Sequence, residues 1–182
     1  MVFPSEFPSK ISGPGAKNGA TVSSQENAAG IQQTVLTLAS TPVTVGNTTG
    51  ASFGGLKLFT FPEGRLLIMG CTANLSFVWT GEDIDAAGSG DFSLGTTISS
   101  DATLAGTDVD LLPSSAMLDP FVLGVGTGSG ALVASAQLDG TSAAKTLNLN
   151  IIIDDADVSD AASDVVLVSG TVTVTWVHLG DY

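Results

Sequence analysis

The chain has 182 residues, 43% of them hydrophobic and only 13% charged, with 18 acids against four lysines and one arginine for a formal charge of −13. That length suits one domain plus a tail, and the composition supplies a core of Val, Leu, Ile and Ala, since aromatics are scarce. The acidity excludes nucleic acid and anionic membranes as partners, because both are held by cations.

The apolar run Leu66–Ala73 is interrupted by Gly70 and is far shorter than the about 20 residues of a membrane helix. The opening residues lack the basic and apolar regions of a signal peptide. A single cysteine, Cys71, excludes an intrachain disulfide.

In chain order, Met1–Gly30 holds Pro4, Pro8 and Pro14 among small polar residues and has no regular period. It reads as an extended N-terminal arm. Phe3, Phe7 and Ile11 recur along it, but the prolines between them oppose a helix, so these residues are candidate anchors on a partner. The body, residues 31–182, reads as strands. Gln32–Ser40 is the first and is expected to end before Pro42. Leu56–Phe61 follows and is closed by the turn signature Pro62-Glu63-Gly64. In Arg65–Trp79, alternation places Leu67, Met69, Cys71, Ala73, Leu75, Phe77 and Trp79 on one apolar face, with Gly70 marking a bulge or bend. That pattern makes Cys71 a buried, inert thiol.

Asp91–Ile98 and Phe121–Val125 are shorter candidates, with the glycine-rich Gly124–Gly130 between strands read as a flexible connection. Ala131–Leu138 offers two turns of helix at most. Thr146–Ile153 sets Leu147, Leu149, Ile151 and Ile153 on one side and Asn148 and Asn150 on the other. Val165–His178 is the clearest strand, with Val166, Val168, Val172, Val174 and Trp176 on one face and Thr171, Thr173 and Thr175 on the other. A period of two belongs to a strand with one buried face, and branched Val and Thr suit it. Six or seven such strands separated by Gly, Ser and Asp loops predict an all-β fold, an antiparallel β-sandwich of jelly-roll type.

Reactive chemistry is sparse. His178 is the single histidine, and its place at the end of a strand fits a hydrogen bond at the sheet rim. No serine lies in a Gly-x-Ser-x-Gly elbow, and one His with one Cys cannot complete a zinc site. The glycine-rich Gly124–Gly130 lacks the Gly-Lys-Ser/Thr ending of a phosphate loop. The acids Asp154, Asp155, Asp157 and Asp160 are where calcium would bind, yet they lack the Glu and Gly placement of an EF-hand and read as a solvated connection. No cofactor is expected, and the chain does not read as an enzyme.

Several segments together resemble a known family: Gly15–Val22 (GAKNGATV), Thr34–Val45 (TVLTLASTPVTV), Leu58–Gly70 (LFTFPEGRLLIMG), Asn148–Asp160 (NLNIIIDDADVSD) and Gly170–Tyr182 (GTVTVTWVHLGDY). In order and across roughly Gly15 to Tyr182, they are similar to small capsid decoration, or cement, proteins of marine tailed phages. The resemblance carries no catalytic residues. It implies a virion structural protein on the capsid exterior that binds the major capsid protein and itself, as a homotrimer. The alternative is a receptor- or carbohydrate-binding β-sandwich module of a phage fibre or spike. Exposed aromatics would favour that reading, and their scarcity counts against it.

Overall fold

The computed structural model describes residues 19–26, 30–48, 51–79, 90–117, 125–131, 136–153 and 163–180. Ten strands form: β1 (Thr21–Glu26), β2 (Ile31–Thr48), β3 (Ala51–Thr60), β4 (Gly64–Trp79), β5 (Gly90–Gly95), β6 (Leu112–Ala116), β7 (Val125–Ala131), β8 (Ala136–Gly140), β9 (Thr146–Ile153) and β10 (Ser163–Gly180). Every pairing is antiparallel, in the order β6-β5-β9-β3-β2-β10-β4-β7, with β1 on β2 and β8 on β4.

That order has a simple physical origin. β2 pairs with β10, β3 with β9, β4 with β7 and β5 with β6, so the chain is one long two-stranded ribbon in nested pairs. Pairing of β10 with β4 and of β9 with β5 then winds the ribbon on itself. The result is a jelly roll, with one sheet of β2-β10-β4-β7 and a second of β3-β9-β5-β6. The sheets join where β2 turns into β3 at Gly46–Phe53, and β6 contacts β7 at the opposite edges.

The apolar faces meet between the sheets. Phe77 of β4 packs on Phe92 of β5 with ring centroids 5.4 Å apart, and Trp176 of β10 meets Phe61 edge-on at 5.6 Å. Leu147, Leu149, Ile151, Val172, Val174 and Trp176 are all buried, as the alternation predicts.

Bulges set which side chains face inward, as those in β4 and β2 show. In β4, Thr175 pairs with Gly70 and Trp176 with Ile68, leaving Met69 as an extra residue. The phase therefore flips. Leu66 and Ile68 are buried before the bulge and Cys71, Ala73, Leu75 and Phe77 after it, while Met69 is 48% exposed. The single apolar face expected from Leu67 to Phe77 is corrected accordingly. In β2, Leu38 pairs with Gly170 and Thr41 with Val168, so this strand also carries an extra residue. Ser40 takes a φ of 50° there and donates its N–H to Ser169 Oγ at 2.9 Å.

β2 also runs through Pro42 to Thr48 and does not end before the proline. Pairing with β1 stops at Thr37 and pairing with β3 starts at Gly46, so Pro42 has a neighbour only on the β10 side. A missing N–H costs no ladder bond at such a position. Three further expectations differ from the fold. The strand expected over Asp91–Ile98 ends at Gly95, the glycine-rich stretch is strand β7, and Ala136–Leu138 belongs to β8 and not to a helix. Within the segment read as an arm, Thr21–Glu26 pairs with β2 as β1. Trp176 Nε1 donates to Thr34 Oγ1 at 3.1 Å, and that hydroxyl lies 3.1 Å from Ser24 Oγ, which ties β1, β2 and β10 together.

Candidate functional site

The most built part of the described surface is the connection between β5 and β6, from Thr96 to Leu111, which includes the short 3-10 turn Gly106–Asp108. It lies on the outer face of the second sheet, and the sheet is made to receive it. At Gly95 a side chain would run into the backbone of Thr107 and Asp108, so only glycine admits the loop this closely.

Beneath it, Asn148 and Asn150 of β9 are buried, although alternation sets them on the face away from the core. They are polar because they hold the loop. Asn150 Nδ2 donates to the carbonyls of Thr97 at 3.1 Å and Asp108 at 3.0 Å, and its Oδ1 accepts the Ser99 N–H at 2.9 Å. Asn148 Nδ2 donates to Gly95 O at 3.2 Å and to Thr146 Oγ1 at 3.0 Å, while its Oδ1 is buried without a partner. The sequence signal for this brace was an Asn-x-Asn pair within an apolar strand.

The loop encloses an open cavity of about 570 Å³ between Thr97 and Asp108, lined by hydroxyls and by the carboxylates of Asp101 and Asp108. Its acids are turned inward on the loop. Asp110 accepts both the N–H and the hydroxyl of Thr96, at 2.8 and 2.6 Å. Asp108 Oδ1 accepts Thr97 Oγ1 at 2.6 Å, and Asp101 Oδ1 accepts the Thr103 N–H at 2.8 Å. Among the described residues, no histidine, lysine or arginine lines this cavity. Its groups staple the loop to itself and leave an acidic projection on the sheet.

The remaining sequence candidates lie elsewhere. His178 Nε2 donates to the Glu63 carbonyl at 2.7 Å, the rim hydrogen bond expected of it, and ties the end of β10 to the β3–β4 turn. Cys71 is buried in the core, and burial pushes its thiol up to about 12. Phe3, Phe7 and Ile11, and the calcium candidates Asp154, Asp155, Asp157 and Asp160, lie outside the described residues. Among the described residues, no three His, Cys, Asp or Glu side chains come together as a metal set.

No family model and no curated protein matches the chain. Among solved structures, it is similar to one described as the structure of infectious bursal disease virus Gt strain, with a TM-score of 0.42 and 13% identity. The likeness covers 95% of this chain and 38% of that one, so this chain spans well under half of that polypeptide.

Proposed function

We propose that this chain is a virion structural protein that decorates and stabilises the outer surface of a tailed-phage capsid by binding the major capsid protein. The observation that carries the reading is the body itself: a wound, nested-ribbon jelly roll whose loop acids and asparagines are spent on internal bonds. Jelly rolls serve as viral capsid domains and also as lectins and cupins, and function has to be argued from the site. A sugar site would present exposed aromatics, and among the described rings Phe59, Phe61, Phe77, Phe92 and Trp176 are buried and Phe53 is half-buried. A surface of net charge −13 suits the outside of a shell, away from packaged DNA. The sequence resemblance supplies the phage assignment. In this reading Phe3, Phe7 and Ile11 anchor the arm on the shell.

The test is binding to shells assembled without this protein, measured by co-sedimentation and by the temperature at which the shells break. Saturable binding with a raised breaking temperature is expected, and deletion of Met1–Gly15 should weaken it. Shells that neither bind the protein nor gain stability would refute the assignment.

A further inference from the structure

On one face of the protein, charge among the described residues is confined to the strand ends. Across β1, β2, β10, β4, β7 and β8 the only charged residues are Glu26, Arg65, Asp139 and Asp164, each at or next to a strand end. The remaining described acids lie elsewhere: Asp91, Asp101, Asp108 and Asp110 belong to the second sheet and its loop, and Glu63 sits in the turn between β3 and β4.

The register shows what occupies the outer face in their place. Thr21, Thr37, Thr171 and Asn74 form one row across four strands, all exposed, and Ser23, Val35, Thr173 and Thr72 form the next. Toward the two ends of the face, Leu67, Val177, Val78 and Leu167 are half-buried. The sheet is at least four strands wide from Leu167 to Val177. At ~4.8 Å between strands and ~3.3 Å per residue, that is roughly 700 Å² on one molecule. Two such faces bury about 1,400 Å², within the range of stable, specific interfaces.

We infer that this face is the contact between two copies of the chain, packed sheet to sheet about a twofold axis. A second copy has the same strong negative charge, so it is repelled wherever the acids lie, and among the described surfaces this face, charged only at its strand ends, is where it meets the least repulsion. Threonine hydroxyls both donate and accept, which makes the surface complementary to itself, as an isologous contact requires. Such a contact closes at two copies, so the unit is a dimer and not the trimer that the family resemblance implies. The pairing does not depend on the shell and goes beyond the decoration reading.

The experiment is sedimentation velocity on the full chain over a range of concentrations, with two variants that add the same charge. Thr173→Asp places a carboxylate in the middle of the face, and Thr103→Asp places one on the exposed β5–β6 loop. Wild type and Thr103→Asp should dimerise alike, and Thr173→Asp should dissociate at least about tenfold more readily, with cooperative melting retained in all three. A monomeric wild type, a trimer, or a dimer indifferent to Thr173→Asp would overturn the inference. Co-sedimentation of the same samples with undecorated shells separates the two proposals: a dimer that ignores shells removes decoration and leaves the pairing intact.

Discussion

Asn150 and Asn148 are one turn of the pleat apart on β9, both buried, and they differ in how many bonds they make. Asn150→Ala removes three hydrogen bonds to the β5–β6 loop and leaves the Ser99 N–H without its acceptor. At about 0.5–1.5 kcal/mol each, and with a buried donor orphaned, the loss is about 3 kcal/mol or more. Asn148→Ala removes two bonds but also an amide oxygen that is already buried without a partner, so its cost is smaller, about 1–2 kcal/mol. The deleted atoms are the same in both, so the side-chain volume removed is common to the two variants. Urea unfolding gives the comparison directly, as the difference in midpoint multiplied by a shared slope. Amide exchange at Ser99 should accelerate in Asn150→Ala and stay near wild type in Asn148→Ala. An Asn148→Ala variant as unstable as Asn150→Ala would refute the claim that Asn150 is the main brace of the loop.

Three further outcomes follow from the same geometry. Gly170 has a φ of 128°, and a side chain there would collide with the Asn74 carbonyl and lie 3.0 Å from Leu75 Cα; Gly170→Ala should therefore cost about 2 kcal/mol or more, and an unchanged urea midpoint would contradict this. Cys71, with its thiol pushed up to about 12, should resist iodoacetamide at pH 8 in the folded protein and react on unfolding; labelling of the native protein at the rate of a free thiol would show the site to be open. Hydrogen bonds from the Thr141 hydroxyl and amide, aided more weakly by Arg65 and Lys145, hold the exposed Asp139 carboxyl below its usual range. A depressed carboxylate contributes stability that is present above its unfolded value of about 3.9 and is lost as pH falls through the lower folded value. An NMR titration should place its midpoint below that of a free aspartate and show it rising in Thr141→Ala, and equal midpoints would contradict the assignment.

The bounds of β9, the run of β10 from Val165 to His178 and the turn at Pro62-Glu63-Gly64 were legible in the sequence because each rests on local chemistry. Alternating Val and Thr fit one pleated surface with a single buried face, and a proline-led turn closes a strand wherever it stands. Buried Cys71 and the rim hydrogen bond of His178 followed from the same pattern. Local composition failed where it was weak or misleading. Gly124–Gly130 has the texture of a linker, yet residues from Val125 onward gain strand structure from pairing with β4. Leu112–Ala116 contains Pro113 and gave no strand signal, but it forms β6 at the edge of its sheet, where a proline is tolerated.

The sequence by itself determined an antiparallel β body with an acidic surface and an apolar interior, because strand periodicity and charge are properties of the residues alone. Only the tertiary structure decided which face each residue takes and what covers it. Gly70 signalled a bulge in β4, but that Met69 is the extra residue, and that Leu67 and Cys71 therefore point to opposite faces, is set by pairing with β10. Asn148 and Asn150 read as solvent-facing until the loop over Gly95 lies on them. The uncharged threonine face became visible when β1, β2, β10 and β4 came into register. A surface of that kind is assembled from strands far apart in the chain, and no single segment contains enough of it to be read.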